Sequence, residues 1–491
     1  MTEPVSIGID LGTSGVKVIA LNANGVSVAE SSATYPLLTP QPGWTEQHPA
    51  DWLEGVQTAL KALTTQLEHK YTPIAIGVAG QMHGAVFLDA SQKVIRPAPL
   101  WNDQRTAAAC LEMEVAIPRL ELIQRTGNPA VTGFQLPKLL WLRQAEPEHF
   151  AKVRHVLLPK DYLNFMLTGQ LATDPSDASG VGALNLAKRD WDTDILSALN
   201  IPVRFFSGVQ ASHTVIGQIS PNWATQTGLP VGIPVVAGAG DNAGAQIGLG
   251  VSSQNLGLGS VSLGTSGVIV VPLEQPISEP NGRVHLFCHA DGGYFFLGCT
   301  LSAAGSLQWF RDTLAKNVPF NELMLEAADV PSGSDGLTFM PYLAGERSPH
   351  LNPDLRGAWL GLSLAHTRGH LTRAILEGVA FSLRQTLEVM NPIAKAQKLL
   401  AVGGGTRSSL WLDIVGNALG LPLEKPALEE GPARGAAILG LVGAGLYPDV
   451  VTALKATAPS TEPFEISLDS SLDTAFDSYQ KGFEATLGFS K

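Results

Sequence analysis

The sequence predicts an α/β protein of two similar domains lying side by side, with a ligand cleft between them. Three observations predict it. First, Leu11-Gly12-Thr13-Ser14-Gly15-Val16 recurs unchanged as Leu263-Gly264-Thr265-Ser266-Gly267-Val268, 252 residues later in a chain of 491. A repeat at half the chain length implies duplicated units, and the cleft between two such units is a natural ligand site. Second, strand-like apolar runs end repeatedly in glycine-rich turns, at Gly12, Gly80, Gly238, Gly264 and Gly403. Glycine there allows tight turns and close approach of backbone to a ligand. Third, helical periodicity follows several of these turns. The boundary falls near Gly248 to Asn255, giving an N-terminal domain of residues 1–248 and a C-terminal domain of 249–491.

The elements follow in order. Val5 to Ile9 is a strand ending in Asp10, Leu11 to Gly15 a turn, and Val16 to Leu21 a second strand. Asn24-Gly25 makes a hairpin turn into a third strand, Val26 to Glu30. Asp51 caps a helix with Trp52, Val56, Leu60 and Leu63 on one face. Ile74 to Ala79 is a buried strand that runs into the loop Gly80-Gln81-Met82-His83-Gly84. Pro234 to Asp241 is an apolar strand ending in glycines and an acid, and a helix follows through Ala243, Ala245, Ile247 and Leu249. After the second copy of the turn comes the strand Val268 to Val271. Leu399 to Val402 is a strand entering Gly403-Gly404-Gly405, and the next helix turns Leu410, Ile414 and Leu419 inward. Gly435 to Leu446 reads as a buried helix, too short and too glycine-rich to span a bilayer.

Composition narrows the function. Residues are 45% hydrophobic and 15% charged, which suits a well-packed enzyme. The net charge of −12 lacks the basic footprint needed to bind nucleic acid or an anionic membrane. An anionic ligand must therefore be held by backbone N–H groups, a metal or a few cations. Cys110, Cys288 and Cys299 form no C-x-x-C pair, and their odd number argues against a disulfide framework, as expected in a reducing cytoplasm. Met1-Thr2-Glu3-Pro4 has no basic stretch leading into an apolar run, so no signal peptide is evident.

Phosphoryl transfer asks for phosphates held by N–H groups, a metal that neutralises charge, and a residue that takes the nucleophile's proton. Each has a candidate. The two Gly-Thr-Ser-Gly turns, with Thr13, Ser14, Gly264 and Thr265, can offer N–H groups and hydroxyls to a polyphosphate. One copy alone would read as an ordinary hairpin turn; two at half-chain spacing read as a pair of cradles. No G-x-x-x-x-G-K-[ST] loop is present. Asp10 ends a buried strand facing the first turn and suits Mg²⁺ held through water; the second copy has Ser262 in its place. Asp241 can accept a proton from a sugar hydroxyl or cap the helix that begins near Asn242, and local sequence does not separate the two. His83 stands in a glycine-flanked loop, where a structural histidine is common. Trp101-Asn102-Asp103-Gln104-Arg105 sets an aromatic among polar groups, as sugar pockets and surface loops both do. Gly404 and Gly405 suit either the packing of a nucleoside or a plain strand-to-helix connection.

Four stretches carry a resemblance. They are Gly8-Ile9-Asp10-Leu11-Gly12-Thr13-Ser14-Gly15-Val16-Lys17, Gly80-Gln81-Met82-His83-Gly84, Gly238-Ala239-Gly240-Asp241-Asn242-Ala243, and Gly357-Ala358-Trp359-Leu360-Gly361-Leu362 with the following His370 to Gly378. Pro341 to His350 adds a fifth segment. On these, nearly the whole chain resembles the FGGY carbohydrate kinases, and among them the bacterial members that act on xylulose. One departure is Gln135, where the signature around Lys138 and Trp141 usually has a small residue or proline; that place is not a ligand contact in the family.

The resemblance implies the actin-like ATPase fold: two RNase H-like domains flanking a deep cleft that closes on ligand, the first carrying the sugar and the second the nucleotide. It implies ATP and Mg²⁺, with Asp241 as general base and Asp10 serving Mg²⁺–ATP. Met82, His83, Trp101, Asp103, Asp241 and Asn242 would hold the sugar. Thr13, Ser14, Gly264, Thr265, Gln308, Gly404 and Gly405 would line the ATP site, and Arg347 and His350 would reach the cleft. The Gln-Met-His-Gly loop favours D-xylulose, phosphorylated at O5. A kinase for D-ribulose or L-ribulose, an actin-like ATPase without sugar kinase activity, and a sugar sensor that has lost catalysis are the rival expectations. The family is often dimeric, though no interface signature stands out in the sequence.

Overall fold

The computed structural model describes residues 2–67, 69–428 and 431–489; of the opening residues considered above, Met1 lies outside them. In the first half the framing elements are β1 (Glu3–Leu11), β2 (Gly15–Asn22), β3 (Ser27–Thr34), α1 (Pro49–Leu67), β4 (Tyr71–Gly80), α2 (Pro159–Thr168), β5 (Val215–Gln218), β6 (Pro234–Val236), β7 (Ala239–Gly240) and α3 (Asp241–Leu249). They build a seven-stranded sheet in the order β5-β6-β4-β1-β2-β3, with β7 also paired to β4. β1 runs antiparallel to β2 and parallel to β4.

The second half repeats this plan. Its elements are β8 (Leu258–Leu263), β9 (Gly267–Leu273), β10 (His285–Cys288), β11 (Tyr294–Thr300), α4 (Ala304–Thr313), α5 (Arg368–Met390), β12 (Lys398–Val402), α6 (Ser409–Leu419), β13 (Leu423–Pro426), α7 (Gly431–Gly443) and β14 (Thr461–Phe464). The second seven-stranded sheet has the order β10-β11-β9-β8-β12-β13-β14. As in the first sheet, the strand before the repeated turn pairs antiparallel with the next strand and parallel with a later one, here β9 and β12.

Local expectations mostly hold, with shifted ends. Trp52, Val56, Leu60 and Leu63 are fully buried on one face of α1. The helix starts at Pro49, so Asp51 sits in the first turn and is not the cap. Proline suits that position because its missing N–H would lack a helical partner anyway, and an acid in the first turn still favours the helix dipole. β3 runs on to Thr34 through alternating exposed and half-buried polar residues, which an apolar run cannot reveal because one face of this outer strand meets water. The two identical turns also close differently. Leu11 faces Val16, whereas Leu263 faces Gly267, a register one residue tighter.

The two halves are tied together by close packing. α7, from the second half, lies against β1, β4 and α3 of the first. A Cβ on Gly435 would fall 1.9 Å from the Gly244 carbonyl oxygen, and one on Gly8 or Gly77 would fall 1.9 Å from the Ala433 or Ala436 oxygen. One buried cluster joins Ile19, Val236, Ile247, Ala437 and Leu441 to Val270, Phe287 and Phe295, so the core is continuous between the two halves. No helix among the described residues is long and apolar enough to cross a membrane. All three cysteines are free.

Candidate active site

The site lies at the carboxyl ends of three adjacent parallel strands. In β4, Ala79 pairs with Asp10 of β1 on one side and Ala239 of β7 on the other, and Gly80 pairs likewise with Leu11 and Gly240. The chain leaves these strands at Gly12, Gln81 and Asp241. Such strand ends are where open α/β sheets place ligands. Two strand spacings set the Asp10 and Ala239 backbones about 10 Å apart.

Asp241 is the first residue of α3, and Gly240 is the N-cap. The structure thus removes one of the two roles left open by the sequence: Asp241 does not cap the helix. Its Oδ1 accepts the Asn242 N–H at 2.7 Å and the Asn242 side-chain amide at 2.9 Å. No protein group among the described residues donates to Oδ2. Burial pushes the carboxyl up to about 6, against the two Asn242 hydrogen bonds. Asp10 is pushed up to about 7, by burial first and then by the charge of Asp241, with Lys17 opposing. Its buried Oδ1 has no hydrogen-bond partner among the described residues.

The loop after β4 is braced from several directions. Gln81 is buried, donates to Gln47 Oε1 at 3.0 Å and accepts from Thr13 Oγ1 at 3.1 Å. Trp101 Nε1 donates to the same Thr13 oxygen at 2.9 Å, which links the first turn, the loop and the tryptophan. Met82 fills the space left by Gly240, where an added Cβ would stand 2.9 Å from Met82 Cγ. His83 adopts φ 70°, unusual for a non-glycine residue. Its ring stacks on Phe134 at 4.6 Å, and Nδ1 lies 2.8 Å from the Gly180 carbonyl oxygen. Burial holds its pKa well below the usual histidine range, with Lys138 and Arg347 adding to the effect. A neutral ring that donates from Nδ1 leaves Nε2 as an acceptor.

Sequence reasoning missed the layer behind this loop. Lys138 Nζ donates to the His83 carbonyl at 2.7 Å, and Gln135 Nε2 to the Gly84 carbonyl at 2.9 Å. The departure at Gln135 therefore supports the loop from behind. The sequence marks both residues only as part of a family signature; their partners in the loop come from the structure, where Lys138 also donates to the Gly133 carbonyl.

Two expected site residues do not belong. Asp103 is fully buried, and its Oδ2 takes the Thr45 N–H at 2.7 Å and Arg105 Nη2 at 2.6 Å. Its Oδ1 takes Arg105 N–H at 3.0 Å and Nε at 2.8 Å. No lone pair is left for a sugar, so Asp103 is a brace beneath Trp101. His350 turns away, stacking on Phe483 at 3.9 Å and meeting Gln385 Oε1 at 3.0 Å. Arg347 does reach the loop region: its Nη2 lies 3.9 Å from where a Cβ on Gly133 would be.

On the other side, the carbonyls of Gly264 and Thr265 accept N–H groups from the start of α4, those of Ala304 at 2.8 Å and Ala303 at 2.9 Å. Gly403 and Gly405 pack on Leu263, while a Cβ on Gly404 would meet nothing within 4 Å. Backbone at Gly404 therefore faces open space, while Gly264 is half-buried, with the Ser266 carbonyl oxygen 3.5 Å from where its Cβ would be. Gln308 is exposed on α4, one turn beyond Gly305, with its amide on Asp312 Oδ2 at 3.0 Å.

The profile of the FGGY carbohydrate kinase N-terminal domain matches residues 5–248, and that of the C-terminal domain matches residues 259–444. The chain belongs to the FGGY family of carbohydrate kinases. This FGGY kinase is 41% identical over 443 residues to a xylulose kinase of Escherichia coli, covering 89% of this chain and 90% of that one. It is 39% identical over 444 residues to a xylulose kinase of Bacillus subtilis, covering 90% and 88%. Among solved structures, a xylulose kinase of Rhodospirillum rubrum superposes with a TM-score of 0.90 at 31% identity, covering 98% of this FGGY kinase and 99% of that chain. The expected actin-like ATPase fold is thereby shown.

Proposed function

We propose that this chain transfers the γ-phosphoryl group of ATP to O5 of D-xylulose, with Asp241 as the general base. The carrying observation is the free Asp241 Oδ2 at a strand end shared with Met82 and His83. Both relatives named above are xylulose kinases matched over about nine-tenths of their length, which supports that sugar.

The sugar lies between the β4 loop and α3. His83 Nε2 accepts from a sugar hydroxyl, and Trp101, held by Thr13, packs against the ring-free chain of the ketose. Asn242 holds Asp241 Oδ1, which turns Oδ2 toward the hydroxyl to be phosphorylated. Asp241 takes that proton as the bond to phosphorus forms. A pKa near 6 keeps the carboxylate ionised at neutral pH yet basic enough to accept. The nucleotide lies against Gly264, Thr265 and Gly404, with Thr13 and Ser14 at the facing turn and Gln308 at the edge.

Asp10 fits a magnesium site. Its Oδ1 is a buried carboxylate oxygen without a hydrogen-bond partner among the described residues, and no cluster of three or more His, Cys, Asp or Glu among them forms a protein cage for a metal. That donor set matches an ion held by one or two carboxylates together with water and phosphate oxygens. Bound there, the ion supplies neutralisation of phosphate charge.

The test is ADP production from Mg²⁺–ATP with D-xylulose, D-ribulose, L-ribulose, L-xylulose, glycerol and no sugar. A rate with D-xylulose well above the rest is expected. Preference for another ketose moves the specificity and keeps the chemistry; turnover independent of sugar overturns the kinase reading.

A further inference from the structure

Behind Asp241 lies a group of charged side chains that the proposed reaction does not use. Lys160 on α2, Asp161, Asp174 and Asp177 are at most 3% exposed. Lys160 Nζ stands 2.5 Å from Asp161 Oδ1, 3.2 Å from Asp174 Oδ1 and 3.7 Å from Asp177 Oδ2, and donates to the Ala237 carbonyl at 3.1 Å. Its stem runs beneath two strand ends: a Cβ on Gly80 would lie 3.0 Å from Lys160 Cβ, and one on Gly238 would lie 3.3 Å from Lys160 Cδ. Asp174 Oδ2 gathers the Ser176 N–H at 2.9 Å, Ser176 Oγ at 2.5 Å and Ser212 Oγ at 2.8 Å. Ser176 Oγ in turn accepts the Gly240 N–H at 3.2 Å. Gly240 is the residue from which Asp241 is launched.

One buried cation among three buried carboxyl groups is a costly way to fill space, and apolar side chains of similar volume would stabilise a core at least as well. Both Asp177 oxygens lack a hydrogen-bond partner among the described residues, and burial pushes that carboxyl well above the usual range, with Lys160 opposing. What the array does achieve is geometric. It links α2, the short helix Pro175–Ala178, the Ser212 loop and the β7–α3 junction through bonds of fixed length.

We propose that Lys160, Asp174 and Ser176 are positioning residues for Asp241, with Ser176 as the link that holds the Gly240–Asp241 junction. The proposal rests on Asp241 being the base. A carboxylate must meet the reacting hydroxyl within hydrogen-bond reach, and misplacement by about 1 Å can cost up to about a hundredfold in rate. Ser176 touches neither sugar nor nucleotide in this arrangement, so its loss acts on turnover and not on sugar affinity.

The experiment compares Ser176→Ala, Ser176→Thr and Ser212→Ala by kcat, KM for D-xylulose and melting temperature. Ser176→Ala is expected to lower kcat about ten- to a hundredfold with KM changed less than about twofold. Ser176→Thr keeps the hydroxyl and recovers most of kcat. Ser212→Ala removes one Asp174 bond further from the base, so it lowers kcat by a smaller factor at constant KM. Full kcat in Ser176→Ala overturns the proposal, as does a threonine variant no better than alanine. Should Ser176→Ala not fold, Ser212→Ala decides: unaltered kcat overturns it. Asp241→Ala separates the two levels. If that variant stays active the base assignment itself fails, whereas an inactive Asp241→Ala beside a fully active Ser176→Ala sinks only the positioning role.

Discussion

At the scale of single residues, the site works by withholding partners. Asp241 has one oxygen saturated by Asn242 and one left free. His83 has one nitrogen on Gly180 and one available. Asp103 has all its lone pairs engaged and so serves only as a brace. Asp241→Asn keeps size and removes the base, and kcat should fall about 10²–10⁴-fold in a steady-state assay, if general-base catalysis contributes its usual share. The pH profile follows from the same group. Asp241 must be ionised to accept a proton, and its pKa is pushed up to about 6. The rate kcat should therefore rise between pH 5 and about 7 and level off above. A profile flat down to pH 5 in the parent protein would remove Asp241 from that role.

At the scale of elements, glycine decides where helices can lie. α7 approaches β1, β4 and α3 so closely that backbone meets backbone at Gly8, Gly77, Gly244 and Gly435. Gly435→Ala forces the Gly244 carbonyl aside, and the expected cost is about 3 kcal/mol, the upper part of the overpacking range. A denaturant melt measures it directly; a stability within error of the parent would mean that α7 can shift without loss. The same scale explains the two turns of identical sequence. The first is closed by a Gly12 N–H bond to the Gly15 carbonyl at 3.0 Å and held by Gln47 on the Thr13 carbonyl at 2.7 Å. The second has its carbonyls covered by the start of α4. Six identical residues thus adopt different registers because different neighbours complete their hydrogen bonds.

At the scale of the whole molecule, the groups proposed for the sugar come from the first sheet and the open backbone at Gly404 comes from the second. The proposed transfer needs the two brought together with water excluded. Small-angle X-ray scattering should show a smaller radius of gyration with a non-hydrolysable ATP analogue and D-xylulose together than with either alone. An unchanged radius would mean that the groups already stand at reacting distance.

Much of this was legible in the chain itself. Strand and helix types, the duplicated turn, the buried face of α1 and the acids at strand ends all follow from short-range pattern, because apolar periodicity and glycine placement report the local backbone directly. That Asp10, the Gln81–His83 loop and Asp241 share one edge was implied only by resemblance, and the parallel pairing of β1, β4 and β7 is what brings them together. Tertiary structure alone decided which polar side chains are spent on one another. Asp103 belongs to Arg105, His350 to Gln385 and Phe483, and Lys160 to its neighbour Asp161 and to Asp174 and Asp177 further along the chain. The physical reason is that a periodic pattern shows which face of an element is buried, whereas the partner that satisfies a buried charge is chosen in space, whether it stands beside it in the chain or in a segment that sequence order keeps apart.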